Sequence, residues 1–292
     1  MKNIYNYLII LLFIIPSSAW AEGPARWTVK DSDTTIHLFG TIHSLKPSIK
    51  WQSDSLREDF DKSRQIIFEL APNQQSWNVV MAVMKTHGML QPRDSLKNYL
   101  DSETYSLVHK KLLAANIPYD AIERVKPWFA AMLISQVPAI ENDTDAMSRE
   151  FGVEQILSKR AWRNRQNVAG LESMDSQIAV FSKLPMDEQV HYLKSQITNG
   201  GVEAEDVDDL IMAWLSGDME KLDSIVNESL KNSPLLFERL LPLRNKNWVR
   251  QIQVIMDYPG DIFIAVGAGH MLGDEGLIKL LKEAGYEVER VN

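Results

Sequence analysis

The chain has 292 residues, 45% hydrophobic and 24% charged, an ordinary globular composition with room for one large domain or two small ones. It contains no cysteine, which excludes disulfides, thiolate metal sites and a cysteine nucleophile. Its formal charge of −8 comes without a basic run or stripe, which argues against nucleic acid or an anionic membrane as a partner.

The first 21 residues read as a signal peptide. Lys2 supplies a positive n-region, Tyr7 to Ile15 an apolar h-region, and Ala19-Trp20-Ala21 an A-x-A cleavage site. The apolar run is short for a membrane span. The expectation is cleavage after Ala21 and export, giving a periplasmic or secreted protein with no stable membrane insertion. Lys2 is the only charge in the leader, so the 22–292 segment carries −9. No later apolar run has the length to cross a bilayer.

Trp27 to Val29 and Thr34 to Phe39 read as a hairpin, with Lys30-Asp31-Ser32-Asp33 as its turn. Gly40-Thr41-Ile42-His43 closes the second strand. Ser53 to Ser63 reads as a helix capped by Ser53 or Asp54. Gln65 to Leu70, Q-I-I-F-E-L, is a buried strand ended by Ala71-Pro72-Asn73. Strand, helix, strand is the signature of a parallel sheet.

From Gln74 to Ile140 the pattern is helical. It comprises Trp77 to Met89, Ser102 to Ala115, and two helices punctuated by Pro118 and Pro127, the latter leading Trp128 to Val137. Met81, Met84, Met89 and Met132 read most simply as gap-filling core; the other reading is a pliable wall over a substrate groove. Asp143-Thr144-Asp145 reads as the cap of a helix carrying Met147 and Phe151 and continuing from Gly152 to Arg160. Asn167 to Leu171 is a short strand candidate, followed by Glu172. Ser176 to Leu184 and Asp187 to Gln196 are helices parted by Pro185. The acidic stretch Glu203 to Asp209 suits a helix start and lacks the interleaved pattern of a calcium loop.

Leu235 to Met256 reads as one long helix broken at Pro242, carrying Arg244, Asn245 and Trp248. Tyr258-Pro259-Gly260 then turns into Ile262 to Val266. This apolar run does not alternate, which marks a strand covered on both faces. Gly273 to Gly285 reads as a closing helix. The fold expected is α/β, a mixed, largely parallel central sheet flanked by helices. It is read as one domain over 22–292 with a helical insertion or cap over 73–165.

The apolar strand at Ile262 stops at Gly267, and His270 follows three residues later. Near both ends of the chain, then, a strand is followed by G-x-x-H. Open α/β sheets bind ligands at the carboxyl edge of their strands, so His43 and His270 are expected to meet across one site. Glu69, an acid inside an apolar strand, is expected at the same edge. Two histidine nitrogens and a carboxylate, with one position left for water, are the donors of a zinc-type catalytic site. His43, Glu69 and His270 are therefore the candidate ligands of a divalent metal ion (Zn, Mn or Co). A histidine held by a carboxylate could instead act on water directly as a general base, and the sequence leaves both mechanisms open. Glu172 is the spare carboxylate for proton transfer or further ligation. Arg244 is the candidate for stabilising an oxyanion or gripping a substrate carboxylate. His37, His87, His109 and His191 lack such a context and read as surface or core residues. H-E-x-x-H, G-x-S-x-G, Walker and G-x-G-x-x-G motifs are all absent.

F-G-T-I-H-S at 39–44, F-E-L at 68–70, G-L-E at 170–172, R-N-x-x-W at 244–248 and V-G-A-G-H-x-x-G-x-x-G-L at 266–277 resemble the TraB/GumN family. The resemblance runs through the whole 22–292 segment in order. That family belongs with the Tiki proteins, described as metal-dependent proteases; more distant relatives include erythromycin-esterase-like enzymes and a haem-binding group. The resemblance implies an α/β fold unrelated to the serine α/β-hydrolases. It implies site roles for His43 and His270 as the G-x-x-H histidines and for Glu69 as the acid of the second motif. With the leader, the paired G-x-x-H units and Glu69, the function expected is an exported, metal-dependent peptidase acting on peptide or protein substrates. A metal-independent esterase and a non-catalytic haem- or ligand-binding protein are the alternatives.

Overall fold

The β-favouring runs become β1 (Arg26–Lys30), β2 (Thr34–Thr41), β3 (Gln65–Leu70), β4 (Asn167–Glu172), β5 (Gly260–Gly267) and β6 (Glu287–Arg290) in a computed structural model. It describes residues 23–135, 146–198, 204–230 and 232–292. The signal-peptide reading of residues 1–21 lies outside these. The strands form one sheet in the order β4–β3–β5–β2–β1–β6. β2, β3, β4 and β5 run parallel. β1 is antiparallel to both β2 and β6, so the sheet is mixed and largely parallel.

The missing alternation in β5 has the expected cause. Ile262, Ile264 and Val266 enter one core with Trp248 and Ile252, and Phe263 and Ala265 enter another with Phe60. Each of the Ile, Val and Phe side chains among them contributes roughly 1.5–3 kcal/mol on burial.

The helices are α1 (Asp54–Lys62), α2 (Trp77–His87), α3 (Ser102–Ala114), α4 (Tyr119–Glu123), α5 (Pro127–Ser135), α6 (Val153–Arg163), α7 (Met174–Ser182), α8 (Met186–Thr198), α9 (Ala204–Ser216), α10 (Met219–Leu230), α11 (Pro234–Leu240), α12 (Pro242–Met256) and α13 (Leu277–Glu283). The Ser53 hydroxyl caps α1 by accepting from the Leu56 amide. Residues of α2 to α5 share a third core with Met174 and Ile178 of α7, Leu193 of α8 and Leu70 at the end of β3. A helical layer therefore stands over the carboxyl end of β3. No helix among the described residues is long and apolar enough to cross a membrane.

The structure departs from the sequence reading in several places. No helix carries Met147 and Phe151. Ser148 instead pairs with Leu45 in an isolated antiparallel bridge, a 3-10 turn follows over Arg149–Phe151, and α6 begins afresh after Gly152. The proposed cap, Asp143 to Asp145, lies outside the described residues, as do Gln136 and Val137. The closing helix starts at Leu277, because Gly273 has φ +66° and breaks the helical run. The break at Pro242 is complete, making two helices, α11 and α12. α10 and β6 were not anticipated. β6 has only four residues, and Val288 alone is buried.

Candidate functional site at the carboxyl edge of the sheet

β2 and β5, the strands that end in G-x-x-H, are parallel neighbours, with Gly40 opposite Val266 and Thr41 opposite Gly267. Each glycine makes room for the other motif. A Cβ on Gly40 would stand 3.0 Å from the Cα of Ala268. A Cβ on Gly267 would stand 3.1 Å from Glu69 Oε1, 3.7 Å from His270 Cδ2 and 3.8 Å from His43 Nε2. The three sequence-predicted ligands thus surround one small space over the Cα of Gly267.

His270 follows β5 in a 3-10 turn and is 3% exposed. Asn245 fixes its tautomer. The Asn245 side-chain amide donates to the Glu275 carbonyl at 2.8 Å, so its Oδ1 is the atom facing His270 Nδ1, at 2.6 Å. Nδ1 therefore carries the proton, and Nε2 presents its lone pair. Burial, with Arg244 and His43 nearby, pushes His270 down to about 3 against the pull of Glu69. The ring is neutral near pH 7 and packs on Trp248, with centroids 4.2 Å apart.

Glu69 closes β3, and its Oε1 accepts the Gly267 amide at 2.8 Å. Burial alone would raise this carboxyl. His270, Arg244, His43 and the Gly267 amide outweigh burial and hold it at about 2. Glu172 closes the neighbouring strand β4, where burial raises its carboxyl above the ordinary range despite Arg244.

Arg244 ties these groups together from the first turns of α12. Its Nη2 pairs with both Glu69 and Glu172, and its Nε donates to Glu172 at 3.1 Å. Its Nη1 donates to the Leu240 carbonyl at 2.9 Å and lies 3.0 Å from His270 Nε2. All five guanidinium donors are engaged. Arg244 and Trp248, four residues apart, share a helix face, and the guanidinium carbon lies 4.7 Å from the indole centroid.

His43 approaches from the other side, on the loop after β2, with its side chain 65% exposed. Its Nδ1 is 2.6 Å from Glu154 Oε1, and Thr41 donates to the same carboxylate oxygen. The charge of Glu154, and its hydrogen bond, raise His43 to about 9. Gly152 lets α6 come this close: the Val153 amide donates to the Ile42 carbonyl, and a Cβ on Gly152 would meet the His43 carbonyl oxygen at 2.0 Å.

Of the sequence-predicted residues, Glu69, Glu172, Arg244 and His270 form one bonded cluster, and His43 faces it across Gly267. Sequence reasoning did not assign Asn245, Glu154 or Gln177. The Gln177 amide bridges the two carboxylates at 3.1 and 3.2 Å. Asn245 lies inside the R-N-x-x-W motif, which could have drawn attention to it. Glu154 lies on a helix far from His43 in the sequence, and Gln177 lies five residues after Glu172 but far from Glu69; neither carries a local signal. Three of the four histidines set aside are held elsewhere: His37 by Asp261, His87 by Asp175 and His109 by Glu123.

The donor set matches a divalent ion in kind. Both imidazoles have Nδ1 pinned by an oxygen, the arrangement that orients a metal-ligating histidine, and a carboxylate oxygen lies between their free edges. One feature opposes it. Arg244 Nη1 occupies the lone pair of His270, and among the described residues no three His, Asp or Glu side chains form a ready ligand set. Holding an ion requires Arg244 to release His270.

Residues 25–290 match the TraB/PrgY/gumN family. The chain belongs to this family. Among curated relatives of this TraB/PrgY/gumN chain, Metalloprotease TIKI1 of Homo sapiens is 22% identical, over 90% of the chain and 61% of its own length. Metalloprotease TIKI homolog of Nematostella vectensis is 25% identical, over 91% and 66%. Uncharacterized protein YbaP of Escherichia coli (strain K12) is 25% identical, over 53% and 56%. The chain spans about three fifths of the length of these relatives. No solved structure gives a significant match.

Proposed function

We propose that this chain is an exported, metal-dependent peptidase, released after Ala21 and acting on peptide or protein substrates. The observation that carries the reading is the convergence of His43 Nε2, Glu69 Oε1 and the His270 ring on the space over Gly267. The metalloprotease names of the TIKI relatives support the reaction class. His43, Glu69 and His270 are the residues that would hold the ion. When bound, a divalent ion supplies Lewis-acid activation of water near neutral pH.

The protein's own groups do the rest. Asn245 keeps the proton on His270 Nδ1, so Nε2 can ligate once Arg244 releases it. Glu154 orients His43, which gives up its Nε2 proton when it ligates. Glu172, with its carboxyl raised by burial, is placed to pass a proton to a leaving amine. Arg244 neutralises the two buried carboxylates and offers positive charge to a developing oxyanion once it lets go of His270. One observation favours a metal-independent reading: the His43–Glu154 pair is itself a histidine–carboxylate couple, which acts as a base where the ring has lost its proton, toward pH 9.

Chelation separates the two mechanisms. Peptide hydrolysis by the 22–292 protein should vanish after exhaustive chelation and return with Zn, Mn or Co. Full activity in the chelated protein would transfer the chemistry to the His43–Glu154 pair. Gly267→Ala tests the location. Its φ of −48° accepts alanine, and the methyl would enter the space between the three candidate ligands. The methyl presses on buried Glu69, so stability should fall by about 1–3 kcal/mol with the fold kept, while activity and metal affinity fall roughly 10- to 100-fold. A fully active Gly267→Ala protein would place the reaction elsewhere.

A further inference from the structure

A cavity of about 950 Å³ opens beside the cluster, with His43, Glu69 and Glu154 on its wall. Ligand sites commonly run from about 300 to 1,000 Å³, so this one has room for several side chains. Away from the sheet edge its lining is apolar and comes from the helical layer: Met81 and Met84 of α2, Phe129, Met132 and Leu133 of α5, and Met174 of α7. Met89, just after α2, also faces it and is 36% exposed. The four methionines that read most simply as core thus also face open space next to the candidate ligands, Met84 while buried in the third core and Met132 while packed against it. Unbranched thioether side chains adapt to apolar groups of differing shape. Polar lining residues, among them Gln75, Arg149, Gln155 and Gln177, can pair with amides that an apolar wall alone would leave unsatisfied.

We infer that this cavity is the specificity pocket of the peptidase proposed above, and that it takes a peptide segment with bulky apolar side chains (Leu, Met or Phe) beside the scissile bond. The inference rests on that reading for its hydrolytic half alone. An acyl chain would fill the apolar wall but leave the amide-pairing groups unused, so a peptide is the better match.

Two measurements test it separately. In the first, a dansylated peptide with Leu and Phe flanks is titrated onto chelated, inactive protein, beside the same peptide with Ser flanks. The apolar peptide should bind at least ~10-fold more tightly. Met81→Glu and Met132→Glu, at half-buried wall positions, should each erase that difference, with unchanged far-UV circular dichroism as the folding control. In the second, kcat/KM for the metal-loaded protein should fall at least ~10-fold when the Leu and Phe flanks become Ser. Discriminating binding without any hydrolysis would uphold the pocket and sink the peptidase. Hydrolysis indifferent to the flanks would do the reverse. A dansyl fatty acid that binds where neither peptide does would overturn the inference in favour of an acyl ligand.

Discussion

Arg244→Met should lower stability by about 3–5 kcal/mol, the usual cost of removing one partner from a buried charge cluster. Its side chain is 12% exposed, and those of its partners Glu69 and Glu172 are 9% and 6% exposed. Without the guanidinium, two ionised carboxyls share a largely buried space, with Gln177 and the Gly267 amide as their remaining hydrogen-bond donors and His43 as the nearest positive charge. One will take up a proton to escape the repulsion. Denaturant unfolding should show the loss as a lower midpoint at unchanged slope. Lysine should rescue it only in part, because a single ammonium cannot satisfy both carboxylates, the Leu240 carbonyl and His270 together. Wild-type stability in Arg244→Met would mean that the carboxylates are already protonated or reach solvent.

His43→Ala should behave in the opposite way. The imidazole is mostly exposed toward the cavity and its ion pair with Glu154 is an exposed one, so its loss should cost no more than about 1 kcal/mol. Hydrolysis should fall at least ~100-fold, since even groups that only orient a ligand cost 10- to 100-fold when removed. His270→Ala is the less informative partner: its ring is buried on Trp248 and bonded to Asn245, so activity and stability should fall together. A folded His43→Ala protein with undiminished hydrolysis would end the present assignment.

The strands that build the candidate site were legible because burial on both faces removes alternation from their sequence. Gln65 to Leu70 and Ile262 to Val266 were found this way, and each glycine after an apolar run marked a carboxyl edge. Juxtaposition of β2 and β5 was not legible from any local pattern; it depends on the strand order. The 3-10 turn at Arg149 was misread as helix because a tertiary bridge, Leu45 with Ser148, overrides local propensity. That bridge also precedes the turn that brings Glu154 to His43, so missing one meant missing the other. Asn245 was visible as a letter in a motif, but its effect on the His270 tautomer needed the position of the Glu275 carbonyl. The methionines show the limit of composition. Filling a core and lining a cavity call for the same side chain, and only the space in front of it tells them apart.

The account is tested most directly by equilibrium dialysis of the 22–292 protein against Zn, Mn and Co, followed by elemental analysis, beside His43→Ala. It predicts roughly one tightly held ion per wild-type chain and none in the variant, with both proteins folded. Equal metal content in the two, or a wild-type chain that hydrolyses peptides while holding no metal, would contradict it.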